Sequence, residues 1–237
     1  AENVDSIARH NIYVTNVRPR ISAEISEYKF AANTLMTNPL FVMPFTTDNA
    51  AKPVHTSASA FEFDAKIKGL SPLAVDSNDR KELNTAEDLV KAYALMINNV
   101  KLLQEDKPGR YVLMSNNFSQ ASEMLSKSNE YAPMSKRFLA LAHACNGCEK
   151  LLNGDPMGSM GHLEKGVSEL RDLKDNLFSF PSLAIMYQGV ERELSQVSAV
   201  ADLVRSSSST GGDPVKTLGA LAKISNIQYP NVSNWTI

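Results

Sequence analysis

Little in this sequence offers itself to chemistry. Two cysteines, four histidines and one tryptophan are spread over 237 residues. With only Cys145 and Cys148 there is no disulfide framework, so stability has to come from packing. No apolar run approaches the ~20 residues that a membrane-crossing helix requires. The opening residues, Ala1-Glu2-Asn3-Val4-Asp5, lack the charged region and apolar core of a signal peptide. These absences predict a soluble protein of the cytoplasm or of a virion. Strong charge is missing too. A formal net charge of −2 sets up no global field to draw the chain onto nucleic acid or an anionic membrane.

The search for a catalytic or cofactor constellation returns nothing specific. The histidines, His10, His55, His143 and His162, lie in no nucleophile motif, and no Gly-x-Ser-x-Gly elbow is present. The glycines of Gly154-Asp155-Pro156-Met157-Gly158-Ser159-Met160-Gly161 have no Lys-Ser/Thr after them and no strand before them. That stretch reads as an interhelical turn rather than a phosphate cradle. The one suggestive cluster is His143-Ala144-Cys145-Asn146-Gly147-Cys148. Cysteines two residues apart can chelate zinc, with His143 or His162 completing the set. No second cysteine pair exists, however, and both thiols fall on a helical seam with Leu141 and Leu152, where cysteine acts as a small apolar residue. We therefore expect no catalytic residues, no metal and no cofactor. A small-ligand or metal site at His143, Cys145 and Cys148 stands as an alternative.

What is present is hydrophobic periodicity. The hydrophobic fraction is 43% and the charged fraction 21%, as in an ordinary globular chain. The first third reads as short strands and irregular chain. Ile12–Val17 is β-prone and closed by Pro19, Leu40–Met43 is a short apolar run, and Phe61–Lys68 alternates apolar with charged residues. From Asn84 onward the period is helical. Asn84 or Thr85 is placed to cap a helix with the seam Leu89, Tyr93, Met96, Val100 and Leu103, which Lys107-Pro108-Gly109 stops. Arg110–Met114 suggests a short strand or connector, and Phe118–Ser128 a short helix. Further seams run Met134, Phe138, Leu141, Cys145, Cys148; then Leu163, Val167, Leu170, Leu173, Leu177; then Leu183, Tyr187, Val190, Leu194, Val197, Ala201, Val204. Steps alternating between four and three mark helices packed at shallow angles. The expected fold is thus α+β and predominantly α. A strand-rich or extended region covers 1–75, a helical bundle 84–205, and a flexible linker plus C-terminal arm 206–237.

The functional expectation comes from the ends and from charge. Ser206–Gly212 has the composition of a flexible linker. Beyond it the chain carries Ile227, Tyr229, Val232, Trp235 and Ile237, which need a surface to cover them. Arg9, His10, Arg18 and Arg20 flank the expected first strand. Middle helices carry Lys107, Arg110, Lys136 and Arg137, while later ones carry Glu164, Glu169, Asp172, Glu191 and Glu193, all read as solvated. Terminal arms on a helical body predict a non-enzymatic structural protein that self-assembles into a homo-oligomer, shell or filament, as viral coat or nucleocapsid subunits do. The alternative is non-specific nucleic-acid packaging through Lys107, Arg110, Lys136 and Arg137.

Overall fold

A computed structural model describes residues 2–37, 65–66, 68–104 and 107–213. The expected run at 40–43, most of the expected strand at 61–68 and the arm residues from 214 onward lie outside them. Among the described residues, seven α-helices have both ends defined: α1 (Glu2–Ile12), α2 (Arg18–Thr37), α3 (Ser77–Gln104), α4 (Arg110–Leu125), α5 (Ala132–Leu152), α6 (Pro156–Asn176) and α7 (Tyr187–Thr210). Among the described residues there is no strand.

Within those residues the fold is helical, which corrects the expected first strand. Ile12–Val17 is helical, with a single π-type turn at Tyr13–Val17 joining α1 to α2. The Arg18 N–H reaches back to the Tyr13 carbonyl, so the hydrogen-bond ladder shifts by one residue just before Pro19, which has no N–H to offer. The Tyr13 hydroxyl donates to Asp79, and Arg18 donates to Asp79 at 3.2 Å and to Asp76 at 3.3 Å. Tertiary anchors of this kind override β-propensity. Ala65, Lys66 and Lys68, within the expected strand at 61–68, are helical as well.

Helix boundaries follow local chemistry. Helix α3 begins seven residues before Asn84, because the Asp76 carboxylate accepts from the backbone N–H of Asn78 at 2.8 Å. Its first two turns are mostly polar, so periodicity alone does not reveal them. Helix α4 starts at Arg110, with no strand, after Gly109 at φ 79°. Tyr111, Met114, Phe118, Ala121 and Leu125 then form one buried seam. The stop between α5 and α6 is as read: Asp155 caps α6 by accepting from the Gly158 N–H at 2.8 Å, and Pro156 takes the first helical position. Two 3₁₀ segments, Leu177–Ser179 and Pro181–Met186, separate α6 from α7.

The expected flexible linker at 206–212 is corrected too. Helix α7 runs through Ser206–Thr210 and ends only at Gly211, whose φ of 71° gives a left-handed cap. Ser206 and Thr210 hydroxyls donate to carbonyls one turn back, at 2.9 and 3.1 Å, and Ser207 is buried. Back-bonding satisfies these side chains inside the helix.

Consecutive helices from α3 to α7 pack on one another, and α2 folds back on α3. The centre is α5, with 13 of its 21 residues buried, which is what a helix surrounded by others requires. Small residues bring its neighbours close. Ser122 of α4 and Ser135 of α5 donate to each other's carbonyls at 2.8 and 2.7 Å. Ser159 of α6 donates to the Gly147 carbonyl at 2.7 Å. A Cβ at Gly166 would stand 3.1 Å from the Ala140 carbonyl oxygen. A second, smaller core joins Ile21 and Ile25 of α2 to Leu83, Ala86 and Val90 of α3.

A bulky side chain at Gly166 has to push α6 off the backbone of α5. Gly166→Leu is expected to destabilise the fold by about 1–3 kcal/mol, the usual range for overpacking. A fall in the denaturant midpoint at unchanged slope would show it.

Candidate functional site

The four basic residues expected to hold a phosphate backbone do not come together. Arg137 is fully buried. Its guanidinium donates through Nε to Glu193 Oε2 at 2.9 Å and through a second nitrogen to Oε1, tying α5 to α7. Glu193, expected on a solvated face, is fully buried with it. Removing Arg137 from the candidate interface is a correction with a plain cause. On a helix with most of its residues buried, Arg137 faces a carboxylate of α7 instead of water, while Lys136 and Lys150 of the same helix stay exposed. Lys107 and Lys136 are exposed, but they sit at opposite ends of the α4–α5 pair. Ser122 faces Ser135, near Lys136, whereas Arg110 lies twelve residues earlier on α4, about 18 Å along the axis. The Arg110 guanidinium lies over the ring of Tyr111, 5.3 Å from its centroid.

The cluster at His143, Cys145 and Cys148 also separates. Both thiols are fully buried. Burial pushes both well above the ordinary thiol range, so neither is a thiolate near neutrality. They lie in the core, within electrostatic reach of Tyr111 on α4. The seam partner at the C-terminal end of α5 is Leu151, not Leu152, which is 40% exposed. His143 points elsewhere, toward α6. Its ring stacks on His162 at 6.2 Å between centroids, and its Nε2 stands 4.0 Å from Glu169 Oε1. Among the described residues no group of three potential ligands is gathered for a metal.

A groove that sequence reasoning did not anticipate opens beside this pair. It lies between the N-terminal half of α5 and the C-terminal half of α6, closed at one end by the segment around Phe180, with a volume of about 550 Å³. Pro133, Leu139, Leu173 and Phe180 supply its apolar walls; Lys136, Glu169 and Asp172 supply its charge. Leu139 and Phe180 remain 42% and 39% exposed, so the groove presents apolar surface to solvent. Among the described residues, Glu169 Oε2 and His143 Nδ1 are buried atoms without a hydrogen-bond partner. A buried carboxylate oxygen left this way marks a place where a donor is wanted. The signal for the groove in the sequence was weak: Leu139 and Phe180 simply fall off the helical seams.

The acidic character expected of the later helices is partly neutralised within the chain. Lys174 pairs with Glu191 at 3.6 Å, and Arg205 pairs with Glu164 at 3.0 Å and Asp202 at 2.8 Å. Set beside known proteins, the chain matches no family model, no curated protein and no solved structure.

Three outcomes follow. Arg137→Ala strands a buried carboxylate and is expected to cost about 3–5 kcal/mol, with Arg137→Met/Glu193→Leu recovering much of it, as read by denaturant unfolding. Cys145 and Cys148 should resist a thiol reagent in the native state and react fully once denatured. Burial lowers the pKa of His143 from 6.5, with Lys165 and His162 adding to the effect and Glu169 opposing it. The unfolded chain therefore binds the proton first, and native stability falls as pH drops below about 6.5. His143→Gln should flatten that fall in a pH series of unfolding midpoints.

Proposed function

We propose that this chain is a non-enzymatic structural protein that assembles with copies of itself through its terminal segments, in the manner of coat or nucleocapsid subunits. The observation that carries the reading is α1. Among the described residues it packs on little beyond the π-type turn that follows it. It leaves Val4 70%, Ile7 58% and Ile12 58% exposed, and Val14 in the turn 38% exposed. Val4, Ile7 and Val14 share one side at helical spacing, which is the pattern of a face that a partner covers.

The other end of the chain supports the same reading by composition. Residues 214–237 contain Ile227, Tyr229, Val232, Trp235 and Ile237, an apolar set including the sole tryptophan. Rigid aromatic side chains of this kind are the anchors of protein interfaces. The body between the two ends spends its most reactive groups on packing: the thiols and the Arg137–Glu193 pair are all interior. No helix among the described residues is long and apolar enough to cross a membrane.

Light scattering on the purified full chain tests this directly. The expected mass is a multiple of the 26.0 kDa chain. Val4→Glu/Ile7→Glu, at exposed positions, should lower that mass without loss of helix, and so should removal of residues 214–237. A monomeric full chain at high micromolar concentration would end the proposal.

A further inference from the structure

We infer that the groove between α5 and α6 is a binding site for a small organic monocation, a protonated amine carried on an apolar body of about one ring. Such a site serves a monomer and an assembly alike.

Charge selects the sign of the ligand. Two carboxylates, Glu169 and Asp172, and one ammonium, Lys136, line the groove. Neither carboxylate is neutralised from within the described residues. Asp172 has no ion pair there, and Glu169 has only His143, at 4.0 Å. Burial lowers the pKa of His143, so its imidazole is neutral near pH 7 and leaves the charge of Glu169 in place. Lys165, one turn before Glu169, does not line the groove. Glu169 and Asp172 lie three residues apart on α6, which sets their Cβ atoms about 5–6 Å from each other. One ammonium can therefore accept an oxygen contact from each. An anion in the same place meets two carboxylates for one lysine.

The walls select the body. Leu139 and Phe180 stay 42% and 39% exposed, and Leu173 joins them along the groove. A ligand that covers them removes apolar surface from water. The ring of Phe180 offers a face to an aromatic body or to the cation itself. A volume of about 550 Å³ suits a small molecule, since such sites run from roughly 300 to 1,000 Å³. The segment around Phe180 closes one end, so the groove takes the end of a molecule rather than the middle of an extended chain. Lys136 on the α5 wall repels a second positive centre, which favours a monoamine over a diamine.

Titration of the full-length protein with 2-phenylethylamine at neutral pH, followed by calorimetry or by NMR of the protein, tests the site. Saturable binding of one amine per chain is expected. 3-Phenylpropionate, similar in shape and opposite in charge, and neutral 2-phenylethanol should each bind about tenfold more weakly or worse, as the loss of a charge-assisted contact implies. Glu169→Gln/Asp172→Asn removes both charges while keeping the side-chain shapes, and should weaken the amine by about tenfold or more. Phe180→Ala should weaken it as well. Lys136→Gln should bind the amine as tightly as the wild type or more tightly, and should gain affinity for a diamine. Circular dichroism shows whether each variant keeps its helices, and the ligand series on the wild type decides the matter even where a variant does not. Equal binding of the acid and the amine, an unchanged amine affinity in the folded double variant, or no saturable binding to the wild type overturns the proposal. Binding that appears only after residues 214–237 are removed overturns it too, because the chain's own segment is then the occupant.

Discussion

Arg137 and Glu193 meet where water does not reach, and the bundle is organised around that meeting. Taking both ions out of water is costly, and the cost is offset only while the guanidinium and the carboxylate stay bidentate. The pair therefore tolerates little sliding of α5 against α7. Because α5 also touches α4 and α6, fixing its rotation against α7 fixes which of its faces each neighbour sees. Apolar packing alone permits several registers of similar energy; a buried bidentate pair permits few.

The small residues of α5 complete that arrangement. Gly147, Ala140 and Ala144 let α6 approach until a serine hydroxyl meets a backbone carbonyl, and Ser122 and Ser135 do the same on the α4 side. A core of this kind is held as much by close backbone approach as by large side chains. The chemistry the chain possesses in its interior is thereby committed. Its thiols are packed and its buried arginine is paired, and among the described residues apolar surface is left exposed on α1 and along the groove.

Legibility in the sequence varied with the physical signal. Helices α5, α6 and α7 were readable because their seams repeat cleanly and because Asn153–Pro156 and Phe178–Pro181 are strong breaks. Tyr13–Val17 was not, since its β-branched residues are overruled by contacts to Asp76 and Asp79 some sixty residues away. The start of α3 was hidden by polar turns, and Ser206–Thr210 by a composition that suggests a linker until back-bonding is seen. At the candidate site, the burial of Cys145 and Cys148 was legible from their place on a seam. Arg137 was not, because a lone arginine beside Lys136 on a helix looks like surface until the opposite carboxylate is known. The groove was scarcely legible, because apart from Leu173 its apolar walls come from residues off the seams, such as Leu139 and Phe180.

The close approach at Gly166 has a further reach. Helices α5 and α6 approach closely there and at Gly147, and the groove opens between them toward Pro133 and Asn176. Neither glycine lines the groove, so the spacing of its two helices depends on contacts outside its own walls.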